Sequence, residues 1–117
     1  MHNKHIVVTG GAGFLGSHVV RQLLTAGNKV TILDDFSHGK ELHLKDIMDN
    51  PDLKIIKGDI TNLNDVTEAF KNCQVVIHLA VLDLRQSIKE PERVNDVVVN
   101  GTLNCLNVAR KNNIELF

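Results

Sequence analysis

Between Thr9 and Gly16 the sequence reads TGGAGFLG, a GxxGxxG spacing set between apolar runs. Glycine at these positions suits one kind of chemistry. Gly10 permits a tight turn, Gly13 leaves room for a pyrophosphate to approach the backbone, and Gly16 lets a following helix pack closely on the preceding strand. The free N–H groups and dipole at the start of such a helix favour negative charge, and Phe14 and Leu15 stand in its first turn. No Gly-Lys-Ser/Thr follows the glycines, which excludes a P-loop nucleotidase. Asp34 ends the next apolar run, where a carboxylate accepts hydrogen bonds from the hydroxyls of an adenosine ribose. Asp35 adds a second negative charge, and no arginine lies close in sequence to offset the pair. A 2′-phosphate would be repelled there, so NAD is expected rather than NADP. The structural alternatives are a plain turn at the glycines and a capping role for Asp34.

The elements that must hold these residues are legible from periodicity. Residues 5–9 form a β-branched run, a fully buried strand, and residues 14–26 carry a helical stripe closed by Gly27. Strands are expected at 29–33, 53–57 and 74–79. An amphipathic piece is expected at 41–48, and a helix capped by Asn62 runs to about residue 70. Pro91 opens a long helix reaching about residue 111. Strands alternating with helices imply a parallel sheet with helices on both faces. The fold class is therefore α/β, a Rossmann-type doubly wound parallel sheet, truncated after about four strands, with strand order 3-2-1-4. Residues 114–117 read as a fifth strand just beginning, which leaves the fourth as a bare edge. The long helix has two apolar stripes: Val94, Val97, Val98, Gly101, Cys105, Val108 and Ala109, then Val99, Leu103 and Leu106 on another face. A surface helix needs only one stripe. Missing chain or a partner subunit would cover the other, and a second copy of the chain, meeting the long helix or the open sheet edge, is expected.

With 117 residues, the chain allows one domain, and its 43% hydrophobic and 23% charged composition is that of a globular protein. Its net charge of −1 gives no reason to expect nucleic acid. No apolar run reaches the length of a membrane helix, so no membrane partner is expected and the cytoplasm is the default. Cys73 and Cys105 read as buried thiols of a reducing compartment. The six histidines, His2, His5, His18, His38, His43 and His78, lack the mutual spacing of a tetrahedral metal site, so no metal is expected. His78, inside an apolar strand, reads as a hydrogen-bonded core residue. Ser87 has no His/Asp constellation that would make it a nucleophile.

Taken together, these motifs resemble the extended short-chain dehydrogenase/reductase family, the NAD-dependent nucleotide-sugar epimerases and dehydratases of the UDP-glucose 4-epimerase-like kind, in its N-terminal part. TGGAGFLGSH is similar to the family's TGGxGFxGSH. Residues 34–39, DDFSHG, resemble its loop around the adenosine, which implies cofactor contacts from Asp34, Asp35, Phe36, Ser37, His38 and Gly39. Gly58-Asp59-Ile60 resembles the family's GDI, whose Asp approaches the adenine amino group. His78-Leu79-Ala80 resembles its HLA, which implies that Leu79, Ala80 and Val81 line the nicotinamide side. Ser87 with Pro91, and Gly101-Thr102, match the family's S-x₃-P and GT.

The resemblance also marks departures. The family's catalytic Ser/Thr and Tyr-x₃-Lys follow the strand that begins here near Ile114. None of the three is in this sequence, which holds no tyrosine. Val98 stands where the family usually has Asn, and Asp83 where it often has a basic residue, with Arg85 nearby. No catalytic residue is assigned. The resemblance thus implies the NAD-binding portion of a nucleotide-sugar epimerase or dehydratase, an activity that moves hydride transiently at the sugar C4. This chain would bind cofactor without turnover, and a nucleotide sugar would bind only in a full-length parent. A free-standing non-catalytic module or pseudoenzyme, and one half of a split enzyme, are the alternatives.

Overall fold

In the computed structural model, residues 1–82 and 84–117 are described, and Asp83 lies outside them. Four parallel strands, β1 (His5–Thr9), β2 (Lys29–Asp34), β3 (Leu53–Lys57) and β4 (Val75–His78), lie in the order β3-β2-β1-β4, as the alternation of elements predicts. In this register Val7 faces Thr31 on one side and Val76 on the other. Side chains alternate across the sheet. Val7, Leu33 and Val76 join Val66, Phe70 and Cys105 in one core, while Ile6, Val8, Ile32 and Val75 join Val20 and Leu44 in a second. Helices α1 (Phe14–Thr25), α2 (Leu63–Ala69) and α5 (Thr102–Lys111) supply the covering layers. Burying each such Val, Ile or Leu contributes about 1.5–3 kcal/mol, which explains the uninterrupted apolar reading of β1.

Three expectations are corrected. The stretch 41–48 is a 3₁₀ turn over Glu41–Leu44 followed by turns, not a helix. Leu44 is buried and Ile47 packs partly against the same core, while Leu42 and Met48 are exposed, so the apolar anchorage is too short to stabilise a longer helix. The long helix from Pro91 is continuous but changes pitch: α4 (Pro91–Asn95) passes into a π-helical segment, Asp96–Gly101, and then into α5. That segment keeps Val97 and Gly101 inward, in line with Cys105 of α5, and turns Val98 out, 43% exposed, so Val98 leaves the inner stripe. Before it lies α3 (Leu84–Lys89).

The fourth strand is not a bare edge. Glu115 N–H donates to the Gln74 carbonyl at 2.9 Å, and Val76 N–H donates to the Leu116 carbonyl at 2.9 Å. Leu116 thus forms a parallel bridge with Val75, and the final residues occupy part of the edge expected to invite another chain. The other half of the association expectation is unchanged: Val99, Leu103 and Leu106 are all exposed.

Candidate functional site

The carboxyl ends of the strands open onto a cleft of about 410 Å³, at the switch point beside β1, where the strand order turns from β2 and β3 on one flank to β4 on the other. Gly10, Gly13, Phe14, Leu15, Gly16, Asp34, Asp35, Ser37, His38, Gly39, Asp59, Ile60, Leu79, Ala80 and Val81 all line it. Phe36 does not. Its backbone turns with φ 61°, and its side chain packs against the core that holds Ile32 and Leu44. Leu33, Gly58, His78, Leu82 and Val97 also line the cleft, and of these only His78 and Gly58 belong to motifs the sequence marks.

The glycine turn is built by close approach. Gly10 has φ 72°, its N–H donates to the Leu33 carbonyl at 2.9 Å, and a Cβ there would lie 2.9 Å from the Ala80 nitrogen. A Cβ at Gly16 would lie 2.2 Å from the Gly10 oxygen. Gly13 differs: among the described residues its only close neighbour would be the same oxygen, at 3.3 Å. Packing therefore requires glycine at 10 and 16, while at 13 a side chain would mainly occupy space above the first turn of α1. The N–H groups of that turn have no partner within the helix.

Asp34 is fixed from two sides. Its Oδ2 accepts the Ala12 N–H at 3.0 Å and its Oδ1 accepts the Phe36 N–H at 2.8 Å, which ties the end of β2 to the glycine turn. Burial pushes its pKa up, and the two backbone donors pull it back only in part. Each oxygen keeps lone-pair capacity for a further donor, as two vicinal hydroxyls require.

At the rim, Asp35 Oδ1 accepts both the N–H and the hydroxyl of Ser37. Asp59 Oδ1 accepts the N–H and hydroxyl of Thr61, and its Oδ2 accepts Arg93 Nη2 at 2.8 Å. That same nitrogen is 3.5 Å from Asp35 Oδ2. Burial would raise the Asp59 pKa, but the bonds from Thr61 and Arg93 outweigh it and hold the group below the usual carboxylate range. The expectation that no arginine offsets the acidic loop is therefore corrected: α4 delivers one. No sequence signal marks Arg93, since it stands 34 residues from Asp59 and outside every motif.

Beneath the cleft, three side chains form a chain of hydrogen bonds. The Thr9 hydroxyl accepts the N–H groups of Leu79 and Ala80 at 3.1 and 3.2 Å. Its single proton then goes to His78 Nδ1, 2.6 Å away, so Nε2 carries the imidazole proton and donates to Thr102 Oγ1 at 2.9 Å. Burial lowers the His78 pKa, consistent with this neutral form. His38 contacts Gln86 Oε1 at 3.1 Å, which links the loop after β2 to α3.

The residues present fit a dinucleotide: there is open space over a helix start at Gly13, and a pinned carboxylate at the end of the second strand. Residues 6–117 match the NAD dependent epimerase/dehydratase family. The chain belongs to that family. A putative UDP-glucose 4-epimerase of Methanocaldococcus jannaschii is 38% identical over 113 residues, 94% of this chain and 35% of its own length. Among solved structures, the UDP-N-acetylglucosamine 4-epimerase of Methanobrevibacter ruminantium is similar with TM-score 0.88 and 38% identity, over 97% of this chain and 36% of that one. The Thermus thermophilus UDP-glucose 4-epimerase, solved in complex with NAD, matches with TM-score 0.84 and 31% identity, over 96% of this chain and 36% of that one. This chain thus spans about a third of the length of these epimerase/dehydratase relatives.

Proposed function

We propose that residues 1–117 form a single NAD-binding unit, the cofactor portion of a nucleotide-sugar epimerase or dehydratase. The observation that carries this reading is the cleft in which Gly13 is open, Asp34 is pinned and the first turn of α1 points inward. The N–H groups of that turn hold the pyrophosphate, Asp34 accepts the ribose hydroxyls, Asp59 faces the adenine amino group, and Leu79, Ala80 and Val81 line the nicotinamide side. When bound, NAD supplies the hydride acceptor for a sugar C4. No tyrosine is available in this sequence to take the sugar hydroxyl proton, a role worth typically 10²–10⁴ in rate. The chain therefore binds cofactor without turning over a nucleotide sugar, which enters only in a longer parent. Isothermal titration tests the reading: NAD binds, NADP binds several-fold more weakly, and UDP-glucose incubated with protein and NAD is unchanged. Absence of NAD binding, or turnover by purified protein, overturns it.

The exposed apolar face of Val99, Leu103 and Leu106 favours a second copy of the chain as its cover, now through the helix alone. Light scattering after size exclusion should show a dimer that Leu103→Glu converts to monomer; a monomer throughout would refute this. The setting we propose is the cytoplasm, where the two free thiols stay reduced. Among the described residues no helix is long and apolar enough to cross a membrane.

A further inference from the structure

We propose that Arg93 sets how strongly this cleft discriminates between NAD and NADP; the inference rests on the reading of the cleft as a cofactor site. The acidic pair Asp34-Asp35 at the end of β2 would repel a 2′-phosphate on the adenosine ribose. The guanidinium from α4 reaches that loop across the rim, 3.5 Å from Asp35 and 2.8 Å from Asp59. Both contacts use Nη2, one of the three nitrogens of a group that carries five donors. Arg93, Asp35 and Asp59 are each about one-third exposed, so the ion pairs are solvent-screened and add little stability. Their larger effect is on the local potential. A planar cation standing against Asp35 cancels part of the field that a phosphate dianion would meet, and offers donors in the fork geometry phosphates prefer. NAD, which presents only hydroxyls at that point, is less sensitive to it.

The test is titration of the full chain with NAD and with NADP, alongside thermal unfolding. Arg93→Met should weaken NADP by ~fivefold or more beyond any change in NAD, the order expected of one charge acting through solvent. Arg93→Lys keeps the charge and should retain most of the wild-type ratio. Asp35→Asn removes the competing carboxylate and should move the ratio the other way, towards NADP. The difference between wild type and Arg93→Met should shrink at high salt. A role confined to holding α4 in place would lower the melting temperature and weaken both cofactors equally. An unchanged NAD/NADP ratio in Arg93→Met overturns the proposal while leaving the NAD site intact, whereas failure of the wild type to bind either cofactor removes the site itself.

Discussion

An added methyl at Gly13 would meet only the Gly10 carbonyl, at 3.3 Å, whereas at Gly16 it would lie 2.2 Å from that oxygen. The two glycines of one motif therefore answer to different demands. Gly13→Ala should change folding stability by no more than about 1 kcal/mol and weaken NAD by ~tenfold or more. Gly16→Ala should destabilise by up to about 3 kcal/mol through overpacking. Denaturant midpoints with titration of each variant separate the two effects; equal loss of stability in both would refute the distinction. His78 gives a pH dependence. Burial holds its pKa below the ordinary 6.5, so as pH falls the unfolded chain takes up the proton first. Its contribution is fully present above pH 6.5 and is lost as pH falls from there through the folded-state pKa. Protonation would also place a hydrogen on Nδ1, against the hydroxyl proton of Thr9. Urea unfolding from pH 7.5 to 5 should show a positive slope of stability with pH that His78→Asn reduces, by at most about 1.4 kcal/mol per pH unit. Identical slopes would mean that folding leaves the His78 pKa unshifted. The glycines and Asp34 were readable because their chemistry fixes local spacing. Arg93 was not, because its partners come from other elements.

Helix α2 shows an element whose start is written in the chain: the Asn62 side chain accepts the Asp65 N–H at 3.2 Å, as the cap reading expected. Asn62→Ala should cost about 1 kcal/mol, visible as a lower denaturant midpoint with unchanged slope. No shift would mean that water serves that N–H equally well. The buried strands were legible because both of their faces are apolar, and α1 because one face is. Helix α3 is only six residues long, with Ile88 77% exposed, too short for periodicity to report. The π-helical segment was hidden for another reason. Its apolar residues keep a plausible α-helical spacing, and only tertiary contact decides which valines turn inward: a Cβ on Gly101 would lie 2.5 Å from Cδ1 of Ile60, in the loop after β3.

At the scale of the whole molecule, both thiols are sealed in the core below the sheet face shared by α2 and α5. Burial pushes the Cys105 pKa up to about 12 and raises that of Cys73 as well. Neither should react with a thiol-selective disulfide reagent at pH 8 until the protein is unfolded, when both should react; rapid native labelling would show that the core opens. The strand order has a further consequence, for synthesis. β1 is sealed by β2 on one flank and by β4 on the other, and Thr9 meets His78 across 69 residues of chain. At the ribosome's ~5–20 residues per second, the second flank is missing for roughly 3–14 s. Through that interval Ile6, Val7 and Val8 belong to a nascent sheet with an unfinished side, open to proteases and to neighbouring chains on the same polysome. Ribosome-bound chains arrested before β4 should be digested readily, and those arrested well past it resist; equal resistance would mean that β1 is protected without its last neighbour.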